Sequence, residues 1–163
     1  MAASVEIRVE GQDAIERRLR AIQERGEDLS PLMDAIGLAM EGSTLQRFED
    51  ERGPDGSRWT PSRRVEQFGG KTLTLSARLK QSVSYIALAD SVRVGTNVIY
   101  AGVHQHGATI VGRNGPLRFK LPGIGFRSAR QVIIPARPMF GIGDEDEDEI
   151  EALTEDFFGL EAA

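Results

Sequence analysis

Two histidines, His104 and His106, stand in the phrase Val103-His104-Gln105-His106-Gly107 and are the only imidazoles in the 163-residue chain. On a strand, residues i and i+2 face the same way and could share a metal ion. On a helix they diverge by about 200° and could not. The chain has no cysteine, so there is no thiolate for nucleophilic or metal chemistry and no disulfide. Carboxylates would have to complete any zinc site. The plainer alternative is one imidazole that is packed and hydrogen-bonded, with the other facing solvent or a partner. Other chemistry is thinner still. Nothing resembles a nucleophile elbow. Gly123 and Gly125 are followed by neither Gly-Lys-Ser/Thr nor a helix, so they do not make a phosphate loop. The acidic run Asp144, Glu145, Asp146, Glu147, Asp148, Glu149 lacks the glycine turn and spacing of a calcium loop. Its carboxylates are expected to be fully solvated, with no cause for a shifted pKa. No cofactor and no metal are therefore expected. The enzyme alternative reduces to a metal- or carboxylate-dependent site centred on His104.

Charge is distributed unevenly. The chain carries 25 acids against 20 Lys and Arg, a net charge of −5. Ten of those acids, and none of the bases, fall in residues 144–163, which leaves a body of net charge +5. This split has two readings: a solvated helix start, or an acidic appendage that meets the basic body of another copy or lines a channel. Arg58, Arg63, Arg64 and Lys71 lie near Trp59 and Phe68, a mixture that single-strand binders use. No helix combines that basic character with a groove-reading pattern, so sequence-specific nucleic-acid binding is not expected. The first residues, Met-Ala-Ala-Ser-Val-Glu-Ile-Arg, lack the apolar stretch of a signal peptide, and no run approaches the ~20 apolar residues of a membrane span. The protein is expected to be made and kept in the cytosol, with no membrane partner.

The elements that must position these residues follow from periodicity. Val5, Ile7 and Val9 alternate with charged residues, as on a half-buried strand. Asp13 with Glu16 has capping-box spacing, Ile15, Leu19 and Ile22 give a helical face, and Gly26 closes that helix. A longer helix is expected from Ser30 as cap, with Pro31 at its first position, to about Glu51. Its apolar stripe holds Leu32, Ile36, Ala39 and Met40. Residues 52–72 are rich in Gly, Pro, Ser and Arg and read as a long, mobile loop that orders on a neighbour, with Trp59 either packed in the core or serving as the anchor. Ser76 caps a short turn. Strands are expected over 83–88 and 92–95, with further short ones at 110–111, 119–121 and 132–134. Tyr100–His106 is ambiguous: its composition allows a short helix, which Gly107 would stop, while 112–116 and 122–126 are turn-rich. A final helix starts near Asp144, where consecutive acids suit the macrodipole, and its apolar face is Ile150, Leu153, Phe157 and Leu160. The whole is one α+β domain: two N-terminal helices and a C-terminal helix packed on a small antiparallel sheet of short strands.

Five phrases fall in a characteristic order: Phe48 before Gly53-Pro54-Asp55-Gly56-Ser57-Arg58-Trp59-Thr60-Pro61; Leu75-Ser76-Ala77-Arg78-Leu79; Val94-Gly95-Thr96; Tyr100-Ala101-Gly102-Val103-His104-Gln105-His106-Gly107; and Ile134-Pro135-Ala136-Arg137-Pro138-Met139-Phe140-Gly141. Over residues 30–160 this series resembles the phage virion-morphogenesis family, the tail-completion proteins of Mu-like and related tailed phages. Two positions depart from it: His106 stands where an aromatic usually precedes the glycine, and Ser76 where glycine is frequent.

The resemblance implies a structural protein that acts late in assembly, finishing the tail end or neck so that head and tail join, as one copy in a ring. Six copies is the expected number, and a head-side stopper or adaptor of the neck is the alternative role. The implied partners are the protein itself, the tail tube and the neck or connector proteins, with non-specific proximity to packaged DNA. The implied place is the virion, with the host cytoplasm during assembly. The assembly candidates are Trp59, Tyr100, His104, Gly107, Pro135, Arg137, Pro138 and Phe140. Arg137, held between two prolines, is expected to pair with a carboxylate of its own chain or of a ring neighbour. In a ring, the acids at 144–149 would face either the neighbouring basic body or a DNA channel.

Overall fold

The computed structural model describes the backbone of residues 12–160 and the side chains from Arg17 onward. The strand expected over Val5–Val9 lies outside those described residues, as do the side chains of Asp13, Ile15 and Glu16; the helix itself begins at Gln12, one residue before the expected cap. Among the described residues, six helices and six strands follow one another as α1 (Gln12–Glu27), α2 (Ser30–Asp50), α3 (Arg63–Phe68), α4 (Arg78–Gln81), β1 (Val83–Ala87), β2 (Val92–Thr96), α5 (Ala101–His106), β3 (Ala108–Val111), β4 (Leu117–Leu121), β5 (Gly125–Ala129), β6 (Gln131–Ile134) and α6 (Asp144–Phe158). The α+β layout is as expected. The strands, however, form three separate antiparallel pairs, β1–β2, β3–β6 and β4–β5, and not one continuous sheet.

The long helix α2 is the spine. Its cap is Leu29, one residue earlier than expected, and Ser30 instead donates its amide to Asp28 Oδ1 at 2.9 Å. Pro31 sits in the first turn, where a missing N–H costs nothing. Glu51 closes the helix in a left-handed conformation, φ 53°. Leu32, Ile36 and Met40 face α6 and take Ile150, Leu153, Phe157 and Phe158. Further along, Phe48 joins a second cluster with Trp59, Leu79, Val83, Val98 and Met139. Val94 on β2 packs against both clusters, so the two form one core along the length of α2.

Among the described residues, two arginines tie helix α1 to α6. Arg18 and Arg25 donate to the carbonyls of Gly159 and Phe157, at 2.9 and 2.7 Å. Two guanidinium groups thus satisfy the orphan carbonyls at the C-terminus of α6 and oppose its negative end. Leu19, expected on the inward face of α1, is 61% exposed, and Leu160 lies beyond the end of α6 and is also exposed. The short helix α4 has Ala77 as its cap, in a left-handed conformation with no side-chain cap, where Ser76 was expected.

Residues 52–72 are not a bare loop. Trp59 donates its amide to the Glu51 carbonyl at 2.7 Å, and the amide of Gly53 donates to the Ser57 carbonyl at 2.8 Å. Ser62 caps α3 by accepting from Val65, and its own amide donates to Thr72 Oγ1, a fully buried residue. The Thr72 amide reaches Glu51 Oε1 at 2.6 Å. These local bonds knit the stretch together within one chain; composition alone, full of turn residues, concealed them.

One close approach fixes how α2 lies on β1. Gly37 is buried against the Tyr85 ring, and a Cβ there would overlap it; the Tyr85 hydroxyl donates to Asp34 Oδ1 at 2.9 Å. Gly42, in the same helix, has nothing within 4 Å of its would-be Cβ. Gly37→Ala should therefore destabilise by about 1–3 kcal/mol through overpacking. Gly42→Ala should stabilise by up to ~1 kcal/mol through helix propensity. Urea midpoints that move in opposite directions for the two variants are the expected result.

Candidate functional site

After β6 the chain enters a strap, residues 135–143, that belongs to no helix or strand. Pro135 and Pro138 have no amide to donate, and neither can join a ladder. Buried polar backbone must nevertheless find partners. In this strap the partners are side chains reaching in from three other elements.

Arg47, on α2, donates from Nη1 to the carbonyls of Met139 and Gly141, each at 2.9 Å. Its Nη2 pairs with Asp146 on α6, which also accepts from Ser43 Oγ and from the Gly143 amide at 2.7 Å. Gln105, on α5, accepts the amides of Met139 and Phe140 at 2.9 and 3.0 Å and donates to the Phe140 carbonyl at 2.8 Å. Trp59 donates from Nε1 to the Pro138 carbonyl at 2.9 Å, while its ring sits edge-on to Phe48 with centroids 5.4 Å apart. Met139, fully buried, fills the space between them. Trp59 is thus a core residue that also holds the strap.

Arg137 points the other way. It is 5% exposed and donates from Nε to the Thr60 carbonyl at 2.7 Å and from Nη2 to the Pro61 carbonyl at 3.4 Å. The expectation that it pairs with a carboxylate of its own chain is corrected: its partners there are backbone oxygens of the 52–72 segment. Burial lowers its pKa from the ordinary arginine value. A second correction concerns the acidic run. Asp146 is buried against Arg47, at 4% exposure, while Asp144, Glu145, Glu147, Asp148 and Glu149 are exposed. Position three of a helix facing its own first turn is where a carboxylate can cap, and Asp146 takes that place.

His104 and His106 lie on α5, so they diverge and cannot share a metal. Among the described residues no group of three or more His, Asp or Glu could hold a metal ion. His104 sits edge-on to Tyr100 at 5.9 Å, its carbonyl accepts the Arg137 amide at 2.6 Å, and its Nδ1 is buried with no hydrogen-bond partner. Burial, and then the positive charge of Arg137, hold its pKa below 6.5. The imidazole therefore packs neutral at neutral pH. His106 is exposed. Gly107 ends α5 at φ 74°, and a Cβ there would come within 2.9 Å of the Ala136 amide nitrogen, so this glycine lets the strap lie against the helix end.

Seven of the sequence candidates, Trp59, His104, Gly107, Pro135, Arg137, Pro138 and Phe140, thus gather at the strap; Tyr100 stands beside them, 41% exposed. Sequence reasoning missed Arg47, Gln105 and Ser43. Arg47 carried a signal, because Met40, Thr44, Arg47 and Phe48 share one helical face and only Arg47 is charged. Beside the clamp lies an open groove of about 990 Å³ between α2, the 53–58 turn and the start of α6.

A clamp whose polar atoms are taken up by the chain's own groups fixes a shape. The chain belongs to the phage virion morphogenesis family, whose model matches residues 10–158. It is 28% identical over 156 residues to the Mu-like prophage FluMu G protein 2 of Haemophilus influenzae, covering 96% of this chain and 97% of that relative. No solved structure matches the chain.

Two outcomes test the clamp. Arg47→Met strands Asp146 without its cation and should cost about 3–5 kcal/mol in urea unfolding. Asp144→Asn, exposed two residues earlier, should stay within about 0.5 kcal/mol. His104 provides a pH test. Its folded pKa lies below its ordinary value of 6.5, so protonation favours the unfolded chain. The associated stability is complete above about pH 6.5 and is lost as pH falls through the folded value. His104→Gln should flatten the urea midpoint between pH 7.5 and 5. The exposed Glu49, held down to about 2 by Lys71 and then Lys80, acts only below that window.

Proposed function

We propose that the protein is a tail-completion subunit, one copy in a ring that finishes the tail end or neck of the particle so that head and tail join. The observation that carries this reading is the near full-length match to a virion morphogenesis family. The clamp supports it, because a ring subunit has to present one fixed shape to its neighbours. The charge split supports it too: a body of net charge +5 and a C-terminal segment with ten acids and no base suit a contact repeated head to tail. The most direct partners are other copies, six in the closed ring, and then the tail tube and the neck or connector proteins. Packaged DNA passes close to the exposed acids, whose like charge keeps it from adhering.

A role without catalysis fits the same residues. His104 has no carboxylate as a hydrogen-bond partner, and its charged neighbour is Arg137, which disfavours an enzyme centred there. A head-side stopper or adaptor is the second reading. The same clamped core would serve it, and the position of the subunit in the particle separates the two. No helix among the described residues is long and apolar enough to cross a membrane.

Helix α6 packs on α2, so deleting it would damage the core and would not isolate its charge. Reversing exposed acids is the cleaner change. Light scattering at low salt should give a defined oligomer near six copies, weakened at high salt. Glu147→Lys with Glu151→Lys and Glu155→Lys should reduce that mass, and purified tails should no longer join heads in its presence. A chain that stays monomeric at every salt concentration, and also in the presence of tails, overturns the ring.

A further inference from the structure

The strands β4 and β5 are nested between β3 and β6. The amide of Gly112 donates to the Arg130 carbonyl at 3.0 Å where one ladder gives way to the next, so the two ladders continue as one antiparallel arm. No residue from Gly102 to Ala136 is buried. The arm adds no buried residue to the core, and at its turn Gly123 lies against the Phe68 ring. A two-stranded ribbon of this kind is marginal in water by itself. This one also exposes large apolar side chains, among them Phe126 at 78% and Ile133 at 68%.

The register arranges its outer half. Lys120 is opposite Phe126 and Arg118 is opposite Ser128, so all four share one face, and all four are exposed. Lys120 Nζ lies 5.9 Å from the Phe126 ring centroid. The arm is purely basic: from Ser91 to Gly143 the chain contains no Asp or Glu. Across the molecule, the groove beside the clamp is lined by Asp50, Asp55, Asp144, Glu145 and Glu149, set against Arg52 and Arg58. Arg47 and Asp146 at its floor neutralise each other.

We propose that the arm of one copy docks in this groove of a second copy, with Phe126 as the apolar anchor and Arg118 and Lys120 facing the acids. This rests on the ring reading above and names its interface. Three observations select the second copy as occupant. The arm and the groove are opposite in charge, so the contact is steered and oriented. Arm against arm would be basic on basic, and groove against groove acidic on acidic, so a two-fold contact is opposed on both sides. A contact between two different patches of the same chain is heterologous, and it closes into a ring when the rotation permits. The ribbon's exposed apolar face is then covered by assembly, as its lack of a core requires.

Because the chain has no cysteine, introduced thiols report this contact without background. Ser128→Cys places one on the basic face, and Gln46→Cys places one on the groove wall. Oxidation of a mixture of the two single variants, each otherwise the full chain, should yield covalent dimers of one copy of each. The double variant should yield a ladder of linked copies. In parallel, Arg118→Glu with Lys120→Glu should raise the concentration for half-assembly at least about tenfold. Adding Glu145→Lys and Glu149→Lys to that chain should restore much of the loss, an outcome that damage to folding cannot imitate. If the native chain forms its ring while the mixture gives no dimer and the charge reversal leaves the mass unchanged, the docking is wrong and the ring reading stands. If Ser128→Cys alone dimerises, the contact is arm to arm and the proposal falls. If charge reversal abolishes retardation of duplex DNA but not assembly, the arm is a nucleic-acid surface. If native chain and thiol variants alike remain single at the highest concentrations, with and without tails, both readings fall.

Discussion

A segment with two prolines and no ladder cannot remain packed unless other groups take over its backbone hydrogen bonds, and the strap at residues 135–143 meets this constraint with side chains. Arg47 is the central one. A guanidinium offers five donors in a fixed fork, and here they reach two strap carbonyls and a carboxylate on α6. One buried side chain therefore ties α2, the strap and the last helix together. Gln105 adds three further bonds from α5, and Trp59 adds one from the 52–72 segment. Nearly every feature of the lower core, including the depth of Met139 and the direction of α6, depends on the strap lying where these groups hold it.

Arg137 extends the same logic outward. Its guanidinium binds the carbonyls of Thr60 and Pro61, so a segment with few apolar residues is held by polar contacts. The side chain is buried, and its Nε and Nη2 are both satisfied by those carbonyls. The clamp thus joins the beginning, middle and end of the described chain through hydrogen bonds between residues some 30 to 100 positions apart in sequence. Such a framework gives a subunit one shape in which to meet its neighbours.

Outside this framework the chain behaves differently. The arm of β3–β6 and β4–β5 is half-exposed along its length and acid-free, while the exposed side of α6 is acid-rich and base-free. Charge is thus segregated along this one small protein. The apolar residues that the arm exposes, Phe126 and Ile133 above all, form surface of a kind that is stable when covered.

Periodicity and capping made the helices legible. The apolar stripe of α2, the end of α5 at Gly107 and the acidic start of α6 are local properties, and each was placed to within a residue or two. The β1–β2 hairpin was equally readable from alternation and its turn. The five motif phrases pointed to the family because they are short, rigid runs whose order survives in the linear chain. What could not be read was which groups meet. Asp146 looks like five other acids in its run, and only the position of Arg47 across the fold distinguishes it. Strand β5 hid in a turn-rich phrase because a ribbon without a buried face needs no apolar alternation. Arg137 was expected to seek a carboxylate, yet found carbonyls, since burial brings acceptors within reach that charge alone does not predict. Local elements follow from neighbouring residues, whereas the pairing of buried charges and the independence of the arm follow from distances that exist only once the chain has packed.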